Sequence, residues 1–260
     1  MVFNYRALAE YLVEAEERKQ PVSCITDNYP NFNLSNGYAV QKELVKIKEE
    51  LGYNIFAYKM GLTSQAKMKQ MNVNEPIYGY VFDYMNVPNQ GQIIKEELIH
   101  PKVEAEIAFI LGEDIEGPGI TGEQVLKKTK SILPVLEIID SRYENFKFTL
   151  PDVVADNTSA SRVVFGDKLF NPHDFEVDAV EVKMKINGDL AADGVSSAVL
   201  GNPAVSAAML ANMMAGSGKG KIRKGSIILT GAITEAVLLH KGDHITAKFG
   251  GMGEISFQVK

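Results

Sequence analysis

Two carboxylates spaced two residues apart interrupt an otherwise apolar segment, His100-Pro101-Lys102-Val103-Glu104-Ala105-Glu106-Ile107-Ala108-Phe109-Ile110. Side chains alternate across a strand, so Glu104 and Glu106 project together while Val103, Ala105, Ile107 and Phe109 pack behind them. Two like charges in an apolar setting repel each other and resist desolvation, and something cationic must offset them. A third carboxylate, Glu137, lies in the comparable apolar strand Pro134-Val135-Leu136-Glu137-Ile138-Ile139. Three such anions suit a hard divalent cation, Mg²⁺ or Mn²⁺, with about three octahedral positions left for water or a chelating substrate. The competing reading pairs these glutamates with Lys59, Lys102 or Arg142, or leaves them on the polar face of a sheet. Spacing by itself does not decide between the two.

Lys59 ends the apolar stretch Phe56-Ala57-Tyr58-Lys59-Met60, just before Gly61-Leu62-Thr63-Ser64. A lysine at a strand-to-loop junction can aim its ammonium at a developing oxyanion, and partial burial would lower its pKa toward proton transfer. The alternative is a surface lysine snorkelling at a strand end. Ala215-Gly216-Ser217-Gly218-Lys219-Gly220-Lys221 lacks the first glycine and the Ser/Thr of a phosphate loop, and it follows a helix where a strand should stand. It reads as a basic turn that ends a helix. His240 and His244 are separated by Gly242-Asp243, which makes a hairpin rather than a helical zinc pair. No serine-nucleophile G-x-S-x-G or dinucleotide G-x-G-x-x-G leads from a strand into a helix.

The elements that must position these groups follow from periodicity. Tyr5, Leu8, Leu12 and Ala15 form a helical stripe over residues 4–19, and Val40, Leu44, Ile47 and Leu51 form a second from about Ser35 to Gly52. Thr121 and Gln124 make a capping box for a short helix to about Lys130, and Asn202-Pro203 opens a fourth helix through Met214, closed by Gly216. Alternation predicts strands at Phe56–Met60, Val103–Leu111, Val135–Asp140, Val180–Ile186, Ser226–Leu229, His244–Phe249 and Glu254–Val259. Asn187-Gly188 and Lys241-Gly242-Asp243 mark tight hairpin turns. Helices cluster before residue 55 and strands dominate after 90, which predicts an α+β chain. The division expected is a helical N-terminal α/β lobe over 1–75 and a β-rich catalytic body over 76–260. The stretch Met71–Gln92 would be the lobe connection.

The chain of 260 residues, 45% apolar and 23% charged, has the composition of a globular domain and not of a disordered or collagen-like one. A net charge of −6 without any Trp gives no footprint for nucleic acid or anionic lipid and points to small ligands. The single cysteine, Cys24, excludes an intrachain disulfide and a structural zinc thiolate set, which fits a reducing cytoplasm. The N-terminus does not read as a signal peptide and no run of eighteen apolar residues occurs, so a soluble, untargeted protein with no membrane partner is expected.

With these residues in view, the sequence resembles the fumarylacetoacetate-hydrolase-type superfamily over nearly its whole length, in the branch of 2-keto-4-pentenoate hydratases and 4-oxalocrotonate decarboxylases of aromatic catabolism. The segments that carry the resemblance are Lys59-Met60-Gly61-Leu62-Thr63-Ser64, His100 to Glu106, Leu133 to Glu137, Val154-Ala155-Asp156-Asn157 and Leu229-Thr230-Gly231-Ala232. In that family the E-x-E strand and the later glutamate hold Mg²⁺, which implies Glu104, Glu106 and Glu137 as ligands of Mg²⁺ or Mn²⁺ with no organic cofactor. The family lysine beside the substrate is matched by Lys59. The implied fold is a mixed β-barrel or roll with a small N-terminal α/β part.

Within the branch, hydratase relatives carry an aspartate in P-D-F-G, where this chain reads Pro76-Ile77-Tyr78-Gly79. The segments 140–148 and 233–237 resemble the decarboxylase version. Arg162 stands where hydratases tend to have glycine, and a cation there would suit a dicarboxylate. The resemblance thus implies decarboxylation of 2-oxohex-3-enedioate to 2-hydroxypenta-2,4-dienoate in a meta-cleavage pathway. Lys59 would act on the enolate oxygen, Thr63, Ser64, Asn157 and Ser161 would position the acid, and Arg162 would steer its second carboxylate. Water addition to 2-hydroxypenta-2,4-dienoate, or a non-catalytic 2-oxo-acid-binding subunit, are the alternatives. A C–C bond hydrolase would need a water-activating dyad, for which His100 is the nearby histidine. A homo-oligomer, and a complex with a partner hydratase, are the expected assemblies.

Overall fold

Asn4 accepts a hydrogen bond from Ala7 N and starts helix α1 (Tyr5–Arg18), which ends where Lys19 turns left-handed at φ 55°. A single turn, α2 (Ile25–Asn28), leads to α3 (Leu34–Glu50), begun by a reciprocal Asn33/Asn36 capping box. Of the predicted stripes, Leu12 and Ala15 of α1 and Val40, Leu44 and Ile47 of α3 are buried, Ala9 and Val13 join them and Leu51 is exposed, and the two helices pack together. The computed structural model describes residues 3–64, 68–69, 75–216 and 220–260.

After α3 the chain is mainly sheet. It runs through β1 (Ile55–Gly61), β2 (Ile77–Phe82), β3 (Asn86–Val87), β4 (Gly91–Ile93), β5 (Lys102–Leu111) and β6 (Ile115–Glu116). Helix α4 (Gly122–Lys128) precedes β7 (Thr129–Ile139), and α5 (Leu150–Ala155) precedes β8 (Ala160–Phe165), β9 (Glu181–Ile186) and β10 (Asp189–Val195). Helix α6 (Pro203–Gly216) leads to β11 (Lys221–Ile222), β12 (Ile227–Leu229), β13 (Val237–Leu238), β14 (His244–Phe249) and β15 (Gly253–Val259). An eight-stranded sheet has the order β2-β1-β12-β5-β7-β8-β3 with β13 also on β5, and a five-stranded sheet has the order β10-β9-β14-β15-β4. Three pairings, β1 with β12, β3 with β8 and β4 with β15, are parallel and the others antiparallel, which gives the α+β class read from the sequence.

Several sequence expectations need correction. Strand β7 begins at Thr129, six residues before the predicted Val135, and α4 accordingly stops at Lys128. Pro134 hid this, because proline removes a ladder donor; here it sits opposite Ile107 within the strand. The supposed lobe connection Met71–Gln92 contains β2, an entirely buried strand at the edge of the large sheet, while 71–74 lie outside the described residues. Strand β1, placed by the sequence in the lobe 1–75, is hydrogen-bonded between β2 and β12. Strand β8 was missed. The 21-residue stretch Ser196–Gly216 is long and apolar enough to cross a membrane, with mean hydropathy 1.3, but it is half buried in the fold, where α6 packs on α4. Of the glycine-rich turn that follows, residues 217–219 lie outside the described residues.

One local conformation positions the site. Asn157, Thr158 and Ser159 are consecutive left-handed residues with φ of 47°, 52° and 57°, a conformation that L-residues adopt at a cost. The Asn157 amide holds this turn against β2, with Nδ2 donating to Tyr80 O at 2.8 Å and Oδ1 accepting from Tyr80 N at 2.9 Å. Gly79 permits the contact, since a Cβ there would lie 2.2 Å from Thr158 Oγ1 and 2.8 Å from Asn157 O. Gly79→Ala is therefore expected to lower unfolding stability by about 1–3 kcal/mol in urea titration, as overpacking against backbone does.

Candidate active site

Antiparallel pairing of β5 and β7 sets Glu104 directly opposite Glu137, and Glu106 lies two residues further along the same face. Carboxylate oxygens of the three lie within 4.8 Å of one another. Glu106 and Glu137 are fully buried and Glu104 is 7% exposed. From β1, Lys59 Nζ reaches Glu137 Oε1 at 2.6 Å and donates to Thr158 O at 3.0 Å. Glu106 Oε2 accepts from Gly231 N at 2.7 Å, just after β12. Gly231 is itself constrained: its φ is 103°, and a Cβ would meet Thr63 Oγ1 at 2.1 Å.

Three carboxylates share this buried cluster, and Lys59 is paired with Glu137. Glu106 Oε1 and Glu137 Oε2 are buried without a hydrogen-bond donor. Burial, then repulsion from Glu137 and Glu104, pushes the Glu106 carboxyl well above its ordinary pKa. Burial raises Glu137 as well, against the pull of Lys59. A buried anion without a partner costs several kcal/mol. The donor set is all carboxylate oxygen, with buried oxygens of Glu106 and Glu137 left unsatisfied, so these residues fit Mg²⁺ or Mn²⁺.

The cluster opens on a pocket of about 450 Å³, a size suited to a small organic acid. Lys59 and Glu104 line it with Leu62, Ile77, Val153 and Thr158, and Lys102, Ile139, Phe146 and Lys147 form another part of its wall.

The family described as fumarylacetoacetate (FAA) hydrolase C-terminal matches residues 55–260. The chain belongs to the fumarylacetoacetate hydrolase family. Within it, the chain is 45% identical over 250 residues to 4-oxalocrotonate decarboxylase of Pseudomonas sp. (strain CF600), covering 96% of this chain and 94% of that protein. It is 33% identical over 249 residues to 2-hydroxyhexa-2,4-dienoate hydratase of Comamonas testosteroni, covering 95% and 94%. The structure of 4-oxalocrotonate decarboxylase from Pseudomonas putida G7 complexed with magnesium and adipate superposes with a TM-score of 0.98 at 40% identity, covering 100% of this chain and 99% of the other. The superposition supports the fumarylacetoacetate hydrolase-like fold expected from the sequence.

Of the residues nominated from the family resemblance, Lys59, Glu104, Glu106 and Glu137 come together. Thr63 is buried beside Gly231, and Ser64 follows it, half buried. Asn157 instead uses its amide to clamp β2, and Ser161 falls in the bulge where the β7–β8 register shifts. Arg162 lies opposite Ile138, on the sheet face away from Glu137, with Nη1 donating to Ser161 O and Nη2 3.5 Å from Glu97 Oε2. It does not line the pocket. His100 is also outside the lining, its pKa lowered by burial, which leaves the hydrolase alternative without its histidine. Sequence reasoning missed Thr158, Phe146, Lys147 and Lys102 as lining residues. Lys102 had a signal, since it precedes Glu104 by two and shares its face.

The same loops rest on a buried cation. Arg142 pairs with Asp156 and donates from Nη1 to Asp140 O at 2.7 Å and Ala160 O at 3.0 Å, fixing both ends of the 157–159 turn. With Mg²⁺ at one hundred times its dissociation constant, the wild type should gain about 2.7 kcal/mol, a Tm rise of about 5–10 °C. Glu106→Gln should abolish that rise in a thermal melt, while its metal-free Tm equals or exceeds that of the metal-free wild type because one buried charge has gone.

Proposed function

We propose that this protein is a divalent-metal-dependent 4-oxalocrotonate decarboxylase that converts 2-oxohex-3-enedioate to 2-hydroxypenta-2,4-dienoate and CO₂. The observation that carries the reading is the buried Glu104–Glu106–Glu137 cluster, with Lys59 attached, opening on a pocket sized for a small acid. Similarity to 4-oxalocrotonate decarboxylases over nearly the full length supports it. Mg²⁺ or Mn²⁺, held by Glu104, Glu106 and Glu137, supplies a Lewis acid for the 1-carboxylate and 2-oxo oxygens when bound.

The C5–C6 bond breaks and its electron pair becomes the C4–C5 double bond. The C3–C4 π pair moves to C2–C3, and the carbonyl pair moves onto the 2-oxo oxygen, which then takes up one proton. Lys59 is placed to serve that oxygen. Its ammonium, oriented by Glu137 Oε1 and Thr158 O, donates to the charge that develops there and delivers the proton. Electrostatic donation of this kind is strongest where water is excluded, and the walls beside it are Leu62, Ile77 and Val153.

Ile77 also separates this reading from the hydratase. It stands on the pocket wall, 3% exposed, at the position of the hydratase aspartate, and an alkyl side chain moves no proton to or from water. Thr63, Ser64 and Ser161 are assigned to positioning the acid, and Asn157 to holding the turn that orients Lys59. The same reading makes the protein a cytoplasmic homo-oligomer that hands its unstable dienol product to a partner hydratase.

The purified protein with Mg²⁺ should release CO₂ from 2-oxohex-3-enedioate and should not consume 2-hydroxypenta-2,4-dienoate, and a chelator should abolish turnover reversibly. Lys59→Ala should reduce kcat by about 100-fold or more while calorimetric Mg²⁺ affinity stays within a few-fold. An unchanged kcat would assign Lys59 to structure alone.

A further inference from the structure

Among the described residues, two cations besides Lys59 line the pocket, and neither has a role in the chemistry described above. Lys102 begins β5 on the same face as Glu104 and Glu106, opposite Ile139, which also lines the pocket. Its ammonium stands 4.2 Å from the centroid of the Phe146 ring. Among the described residues, no carboxylate lies within ion-pair distance of Lys102 or Lys147. Lys147 is exposed, next to Phe146 in the chain. Arg162, the cation nominated by sequence for the second carboxylate, is on the other face of the sheet beside Glu97.

We propose that Lys102, with Lys147 beside it, is the specificity-determining cation that receives the carboxylate of the substrate remote from the Glu104–Glu106–Glu137 cluster. The inference rests on the decarboxylase reading and adds to it the residue that selects a dicarboxylate. Residues i and i+2 of a strand are about 7 Å apart, the order of the separation between the two ends of an extended six-carbon diacid. A substrate whose 2-oxo acid end lies at Glu104 and Glu106 therefore brings its other end to Lys102. The Phe146 ring holds the ammonium over its face without neutralising it, so the charge remains available to an anion. This suits a carboxylate that must leave as neutral CO₂. An attraction present in the ground state and lost in the transition state lowers KM and kcat together, so the contact serves selection of the diacid and not its turnover.

Competitive inhibition of the Mg²⁺-loaded, full-length enzyme by 2-oxoadipate and by 2-oxohexanoate, of equal chain length, tests this. Wild type should bind the dicarboxylate about tenfold or more tightly than the monocarboxylate, the difference made by a charge-assisted contact. Lys102→Met, which keeps the aliphatic stem, should erase most of that preference and raise KM for 2-oxohex-3-enedioate without lowering kcat, with 2-oxohexanoate and Mg²⁺ binding retained. Lys147→Met, at an exposed position, should reduce the preference in part, and Arg162→Met should leave it intact. A preference that survives in both lysine variants, or that disappears in Arg162→Met, overturns the assignment. Failure of the wild type to bind either 2-oxo acid would instead overturn the decarboxylase reading, and this inference with it.

Discussion

Burying three carboxylates side by side is the constraint on which the molecule turns. Each charge removed from water carries a desolvation cost of several kcal/mol, and Lys59 offsets that of Glu137. The unsatisfied oxygens of Glu106 and Glu137 make this region unfavourable until a cation completes it. The surrounding structure tolerates it because β5 and β7 are the long central strands of the large sheet, ten and eleven residues, whose other face buries Val103, Ala105, Ile107, Leu136 and Ile138 completely. Apolar burial on one side of the sheet sustains the electrostatic frustration on the other, the common arrangement at sites selected for chemistry over stability.

Rigidity around that cluster comes from backbone as much as from side chains. Thr158 and Gly231 contribute a carbonyl and an N–H, which orient Lys59 and Glu106 respectively. Both main-chain groups depend on left-handed φ values and on close approaches that only glycine at 79 and 231 allows. Arg142, buried with Asp156, binds the segments on either side of the 157–159 turn. The lysine is thus held by a network of fixed dipoles, the preorganisation that transition-state stabilisation requires.

The sequence made local features legible and left distant ones open. Period-two alternation was enough to put Glu104 and Glu106 on one face, because parity within a strand is a property of the strand itself. Joining Glu137 to them depends on the β5–β7 register, a contact across about thirty residues that no spacing rule encodes. Arg162 shows the converse. The register shift at Ile138/Ile139 determines which β8 residues face the pocket, and one position of slippage turns a side chain to the opposite side. Strand β2 escaped notice because Pro76 and Gly79 give it the composition of a turn, although Gly79 is there to admit Thr158.

Strand β12 lies between β1 and β5 in the large sheet, so residues near 228 are inserted among strands formed from residues 55–111. The centre of that sheet is consequently closed by a segment made long after the strands on either side of it. Until then β1 has no parallel neighbour and Glu106 lacks its Gly231 donor, so a nascent chain, or one truncated before β12, holds the acidic residues without the cradle that orders them. Non-local closure of this kind makes folding slow, and it ties the appearance of a competent centre to synthesis of the chain through Gly231.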